Sequence, residues 1–377
     1  MSNIYNYIKM KQILNFWVLF LLTGAIFTGC SDDDNNKYEL DETTIGCYIV
    51  NYGNFGKLPS SITRYDYKAD TVTNLYFKRQ NNGLELLSNI QYANVYNGTI
   101  YMMGNERDEV ITTNLLFQQT ANGISEGIAK PRFFVGNGDY IYVSCWGSNP
   151  DWDEMKDTYI AKIDTRTNEV VETIPLPGGP EGLAIANGHL YAALNYRKSV
   201  AVVSLSNYES IEYIETPGVT SYFIEDADNN LYVTLLSSFT LEVEDTGLGY
   251  INTATKTLEE VYSLDGISSG YGSVIAPDKD FSTIYVLASS WVEVGAGNWQ
   301  QMGALYSFDV ASGAFSPFVD NLTGANGVTV NHDTGNIYLL ISLGATESGK
   351  MQIYKRDKSF VKDVQVGRSP AWAFFIN

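Results

Sequence analysis

Histidine is almost missing from this chain. There are two, His189 and His332, each in a turn ahead of a strand and without a partner spacing, so neither a histidine metal cluster nor a histidine base is available. Cysteine is scarce as well, at three. Cys47 and Cys145 lie beside apolar neighbours in separate predicted strands and read as two buried thiols rather than a disulfide. Basic residues number 24 against 43 acidic ones, a net charge of -19, and no Lys/Arg cluster follows the first dozen residues. That balance excludes nucleic acid, whose phosphates need clustered cations. Glycine-rich phosphate loops and nucleophile elbows are absent from the sequence, so no cofactor is expected. Long apolar runs of helical period are lacking too, and 10 prolines against 33 glycines and 27 tyrosines suit short strands and tight turns.

What the chain does have is a repeated phrase. Asn187-Gly-His-Leu-Tyr-Ala-Ala-Leu-Asn195 is a turn followed by an alternating strand, and its tyrosine recurs as Tyr101, Tyr142, Tyr191, Tyr232, Tyr285 and Tyr338, a period of 41 to 53 residues. Gly46-Cys-Tyr-Ile-Val-Asn51 is a seventh copy without the turn. A drifting period of this size marks a propeller blade. After each copy comes a hairpin built on Asp66, Asp164, Asn252 or Asp309, whose short side chains can bond the turn's own N–H groups. Before each copy comes a short apolar strand such as Pro131-Arg-Phe-Phe-Val135 or Glu181-Gly-Leu-Ala-Ile185. The last of these, Ser369 to Asn377, has no tyrosine strand after it, while the first tyrosine strand has no such segment before it. The two halves complete each other. The expected fold is all-β, a seven-bladed β-propeller of four-stranded blades over residues 45–377, closed by the C-terminal strand pairing with the N-terminal one.

Ahead of the propeller, Lys9 and Lys11 precede an apolar run, Ile13 to Leu22, and small residues ending in Thr28-Gly-Cys30. Residues 1–29 read as an export signal. The ending resembles a bacterial lipobox, which implies that Cys30 is lipidated and becomes the mature N-terminus. The acidic Ser31-Asp-Asp-Asp-Asn-Asn36 resembles the surface-export signal of Bacteroidota lipoproteins, which implies that residues 30–44 form a linker on the outer face of the outer membrane.

The hairpin Ile163-Asp-Thr-Arg-Thr-Asn-Glu-Val-Val171, the approach Pro180-Glu-Gly-Leu-Ala-Ile185 and the opening loop Asn51-Tyr-Gly-Asn-Phe-Gly56 resemble the YncE-like, surface-layer-type propellers of Bacteroidota. The resemblance covers essentially the whole mature chain. Within it, the chain is similar to cobalamin-binding surface lipoproteins that cap TonB-dependent transporters, which implies capture of a ligand and its hand-over to a transporter partner.

Long loops at 51–61, 144–157, 237–247 and 289–303 are expected on one face, where function is usually carried. They and their neighbours supply Tyr52, Asn54, Phe55, Trp146, Asn149, Trp152, Asn195, Tyr196, Arg197, Phe239, Tyr271, Trp291 and Trp299. Aromatic faces interleaved with amides suit a large ring-shaped small molecule or a glycan, and these residues are the expected ligand site. Two alternatives accompany it. One is a propeller hydrolase or lactonase holding a divalent ion through Glu181 and Asn326, for which no completing Asp is found. The other is an adhesive or structural surface protein.

Overall fold

The computed structural model describes residues 43–236, 246–264, 274–344 and 346–377. Its strands form seven antiparallel sheets, each made from consecutive strands except the first. That first blade takes β27 (Pro370–Ile376) as its inner strand, followed by β1 (Gly46–Asn51), β2 (Ser61–Asp66) and β3 (Thr71–Thr73). A short helix, α1 (Tyr76–Gln80), then leads to the second blade: β4 (Ile90–Tyr96), β5 (Thr99–Gly104) and β6 (Glu109–Thr113). Here the outer position is held by irregular chain, which bridges to β6 at Val110↔Ile124 and Thr113↔Gln119. The third blade is β7 (Pro131–Asn137), β8 (Tyr140–Cys145), β9 (Tyr159–Asp164) and β10 (Glu169–Pro175). The fourth is β11 (Pro180–Ala186), β12 (His189–Leu194), β13 (Ser199–Ser204) and β14 (Asn207–Glu215), and the fifth is β15 (Val219–Glu225), β16 (Leu231–Leu236), β17 (Gly247–Asn252) and β18 (Thr257–Ser263). The sixth comprises β19 (Ile275–Pro277), β20 (Thr283–Gly295), β21 (Asn298–Asp309) and β22 (Ala314–Thr323). β23 (Ala325–Val330), β24 (Ile337–Ile341), β25 (Ser348–Tyr354) and β26 (Phe360–Arg368) make the seventh. The result is the seven-bladed propeller that the repeats predict, closed by β1 on β27 in the register Cys47↔Phe375, Tyr48↔Phe374 and Ile49↔Ala373.

The repeated tyrosine is the wedge between blades. Tyr48, Tyr101, Tyr142, Tyr191, Tyr232, Tyr285 and Tyr338 are all buried on second strands. Each belongs to a buried apolar cluster that extends into the following blade: Tyr48's includes Ile100, Tyr101's Ile141, Tyr142's Leu190 and Tyr191's Val233. Tyr232 and Tyr285 share one such cluster with Ile284 and Leu339, and Tyr338 shares another with Ile49 of the first blade. A buried ring of this size contributes up to about 3 kcal/mol by leaving water. Its hydroxyl must still find a partner. The Tyr191 hydroxyl, for example, donates to the Thr253 carbonyl in the fifth blade at 3.1 Å.

The turns follow the expected chemistry. Asn97-Gly98 and Asn187-Gly188 carry positive φ at both positions, the geometry that joins two twisted strands with a two-residue hairpin. Asp66 accepts the Lys68 and Ala69 N–H groups, Asn252 those of Ala254 and Thr255, and Asp309 that of Ser312. At Asp164 the bonded Arg166 guanidinium, together with the turn's N–H groups, pulls the carboxyl down to about 2. His332 lies in a turn and bonds the Pro277 carbonyl, whereas His189, expected in a turn, is the first residue of β12 and bonds the Asn187 carbonyl of the turn before it. Cys47 and Cys145 are free and buried, and burial pushes the Cys145 thiol up to about 12.

One expectation is corrected. Residues 289–303 are not a loop: β20 and β21 continue as a paired ribbon from Ser289↔Gly303 to Gly295↔Asn298. The alternating Trp291-Val-Glu-Val294 and the glycines at 295 and 297 are strand and turn signals, so the ladder runs on beyond the blade.

Replacing one wedge tests this packing. Tyr191→Ala should lose about 3–5 kcal/mol of stability, and Tyr191→Phe about 1 kcal/mol for the hydroxyl alone. Urea unfolding measures both, and an alanine variant as stable as the parent would contradict the wedge role.

Candidate functional site

Inner strands start on the same face as the connections between second and third strands, and near their starts most carry an irregularity. In β7, Pro131 faces Cys145 and Phe134 faces Val143, so Arg132 and Phe133 together oppose Ser144. In β11, Glu181 and Gly182 occupy the same extra positions between Pro180↔Leu194 and Leu183↔Ala192. A bulge re-aims side chains that a regular ladder would alternate. Arg132 and Glu181 consequently meet across the third and fourth blades, with Nε–Oε2 at 2.8 Å and Nη2–Oε1 at 2.9 Å. Both are almost wholly buried, at 4% and 3% exposure. The Arg132 guanidinium also lies 3.9 Å over the Trp146 ring. Trp146 in turn donates through Nε1 to the Pro180 carbonyl at 3.0 Å, and Ser144 Oγ donates to the Glu181 carbonyl at 2.7 Å.

Trp152 and Tyr196 stand edge-on to this buried Trp146, with ring centroids 5.9 Å and 5.7 Å away. Trp152 is 59% exposed, whereas Tyr196 is half-buried. A tight turn presents Trp152: its φ is 52°, and the Asp151 carboxylate accepts backbone N–H groups from Asp153, Glu154, Met155 and Lys156. Desolvation works to raise the Asp151 pKa, but these donors together hold it below the usual carboxylate range. Tyr196 and Arg197 fit because Gly178 and Gly179 lack a Cβ, which would come within 2.9 Å of Arg197 Cδ and 2.8 Å of Tyr196 Cδ2. The mouth thus has an aromatic wall of graded burial over a neutralised ion pair. Such a surface can bind a flat apolar face and order its polar edge.

Below the mouth, the inner strands close the axis with aromatics. Tyr92 stacks on Phe133 at 3.8 Å, and Trp372 lies 4.6 Å from Tyr92, 6.0 Å from Phe133 and 6.0 Å from Tyr222. These four rings come from β4, β7, β15 and β27. Neither Arg132 nor this plug was singled out from sequence. The available signal was the inner-strand phrase itself, whose third position is aromatic in Gln91-Tyr92, Arg132-Phe133 and Ala371-Trp372.

Of the expected ligand residues, the structure brings Trp146, Trp152, Asn195, Tyr196 and Arg197 together. Trp146 is part of the buried support rather than an exposed face. Asn195 is also buried and donates to the Thr220 carbonyl at 3.1 Å. Asn149 is exposed on the same β8–β9 connection as Trp152. Tyr52, Asn54 and Phe55 lie on the first blade, where Asn54 bridges to Leu58 and Phe55 is exposed. Trp291 and Trp299 are on the β20–β21 ribbon, opposite Gln301 and Glu293. Phe239, Tyr271 and Cys30 fall outside the described residues. The oxygen-ligand role considered for Glu181 is taken by Arg132, which engages both carboxylate oxygens, and Asn326 donates through Nδ2 to the Pro370 carbonyl. Among the described residues no group of three or more His, Cys, Asp or Glu side chains is placed to hold a metal.

A family model described as "Domain of unknown function (DUF5074)" matches residues 45–361. No curated protein matches the sequence. Among solved structures, a quinoprotein alcohol dehydrogenase-like protein from Bacteroides thetaiotaomicron is similar at 17% identity and a TM-score of 0.61, over 88% of this chain and 78% of that one. A 6-phosphogluconolactonase-like protein from Bacteroides uniformis is similar at 11% identity and a TM-score of 0.63, over 88% and 99%. Hydrazine synthase of Kuenenia stuttgartiensis is similar at 14% identity and a TM-score of 0.57, over 73% and 85%. At these identities the likeness is one of fold.

The ion pair is open to direct test. Glu181→Ala leaves Arg132 charged and buried, and should cost about 3–5 kcal/mol. Replacing both partners by apolar residues should recover most of that loss. Chemical unfolding of the single and double variants checks it, and a harmless Glu181→Ala would show that the pair is not structural.

Proposed function

The chain belongs to the DUF5074 family, and on its propeller we propose a lipid-anchored surface protein that captures a large ring-shaped ligand, such as cobalamin, for a TonB-dependent outer-membrane transporter. The observation that carries this reading is the exposed Trp152 set against Tyr196 and Trp146 over the Arg132–Glu181 pair. Stacking on Trp152 and Tyr196 supplies apolar contact area, and Asn149 and Arg197 on the rim supply donors for amide or phosphate groups. The aromatic plug beneath the mouth would hold the ligand at the surface, where a partner can take it over. The lipobox-like Thr28-Gly-Cys30 and the acidic run behind it supply the anchor and the outward address.

Binding in this reading is not catalysis. A metal-dependent hydrolase would require Glu181 to leave Arg132 and accept a cation in its place, at the cost of breaking a buried two-point ion pair.

Calorimetric titration with cyanocobalamin tests the reading. Saturable binding that weakens about ten-fold in Trp152→Ala, with an unchanged melting temperature, supports capture at this wall. No heat with cobalamin, haem or ferric siderophores would turn the aromatic wall into a contact surface for a protein or glycan.

A further inference from the structure

The second blade is a sheet of three strands, and the irregular chain in its outer position meets the end of α1. Asn81 makes the junction. Its Nδ2 donates to the Phe77 carbonyl of α1 at 2.7 Å and to the Phe117 carbonyl of the irregular chain at 2.7 Å, while its Oδ1 accepts the Gln119 N–H at 2.8 Å. Asn114 shapes the rest of that chain: its Oδ1 accepts the Leu116 and Gln118 N–H groups, and its Nδ2 donates to Gln118 Oε1 at 2.9 Å. These bonds fix two segments without regular structure against each other.

A cleft of about 760 Å³ opens at this junction, within the range of about 300–1,000 Å³ in which small-molecule sites fall. Six carboxamides line it: Gln80, Asn81, Asn82, Gln118, Gln119 and Asn122. No lining residue carries a charge, on a chain with 24 basic and 43 acidic residues. Two of these amides are half-used. Gln118 gives its Oε1 to Asn114, which leaves its NH2 group, and Gln119 gives its Nε2 to the Ala121 carbonyl at 3.0 Å, which leaves its oxygen. Gln80 goes further. It is 5% exposed, and its Oε1 has no hydrogen-bond partner among the described residues. A buried amide oxygen costs free energy until something bonds it, and the last torsion of a glutamine is soft enough to turn the group toward the cleft.

We propose that this cleft binds a neutral oligosaccharide, its hydroxyls bonded by the carboxamides and the apolar C–H face of one sugar ring laid on Leu84, which lines the cleft and is 47% exposed. A hydroxyl both donates and accepts, and so does a carboxamide, so each half-used amide finds a match on a polyol whichever of its ends is left. The lack of charge selects against an acidic or basic ligand, whose ion would lose water and gain no partner. Leu84 is the one large apolar residue of the lining, too little for the alternate side-chain pockets that hold an extended peptide. The site stands between the first and second blades and does not depend on the Trp152 wall.

The probes are maltotetraose, cellotetraose, mannotetraose, xylotetraose and galactotetraose, with tetragalacturonate and tetraalanine as controls, titrated into the whole protein and read by calorimetry. At least one neutral tetrasaccharide should bind saturably, with the same affinity at low and high salt because no ion pair is made, and neither control should bind. Thr120 is exposed on the rim, so Thr120→Trp retains the fold and should block binding. Gln80→Met keeps the length of the side chain and removes the amide. Binding should then weaken about ten-fold with no loss in the urea midpoint, since the group removed has no partner in the free protein. Trp152→Ala should change nothing. Failure of all the neutral tetrasaccharides to bind, binding of tetraalanine in their place, or binding that survives Thr120→Trp or Gln80→Met, would overturn the proposal.

Discussion

The pairing of β1 with β27 is the constraint on which the rest of the structure depends. Each blade presents a tyrosine to its successor, and an open row of blades would leave the last of these rings, Tyr338, facing water. Closure gives Tyr338 the side of the first blade, where it meets Tyr65 at 6.0 Å and Phe375 at 5.7 Å. It also brings Trp372 onto the axis, where that one ring touches aromatics from three other blades. Chain closure and the core of the channel are therefore one event: the C-terminal strand that removes the open edge also fills the hole.

Within this ring the blades are alike in plan and unlike in detail, and the details make the sites. The bulges of β7 and β11 turn two side chains toward one another, and the buried arginine and glutamate neutralise each other there. Trp146 covers the guanidinium and completes its desolvation, which fixes the ring that Trp152 and Tyr196 lean on. Rigid support beneath an exposed aromatic lowers the entropy lost when a ligand stacks on it. Another departure, the shortened β3, leaves the start of β2 to be packed by α1 instead of by a strand, with Ile62 and Thr63 fully buried.

The architecture was legible because it is written in local chemistry. Tyrosine inside an alternating strand, Asn-Gly before it and an aspartate hairpin after it each constrain a few residues, and repetition makes the pattern unmistakable. Segments without such punctuation were harder to read. Residues 289–303 were rich in tryptophan and glycine and looked like a loop, yet their alternation carried the ladder onward. Trp146 and Trp152 looked equivalent, six residues apart on one connection. One is buried support and the other an exposed face, because only Trp146 lies where Arg132 and Pro180 of adjoining inner strands can cover it.

By itself the sequence determined the all-β class, the seven repeats, the turn chemistry and the closure of the ring, since period and hydrogen-bonding capacity are properties of short stretches of chain. Tertiary structure alone decided that Arg132 meets Glu181 across 49 residues, that four rings from distant strands plug the axis, and that α1 packs beside the start of β2. Those outcomes depend on how blades lie against each other and on where a strand stops. Both are set by packing between segments far apart in the chain, which no local pattern encodes.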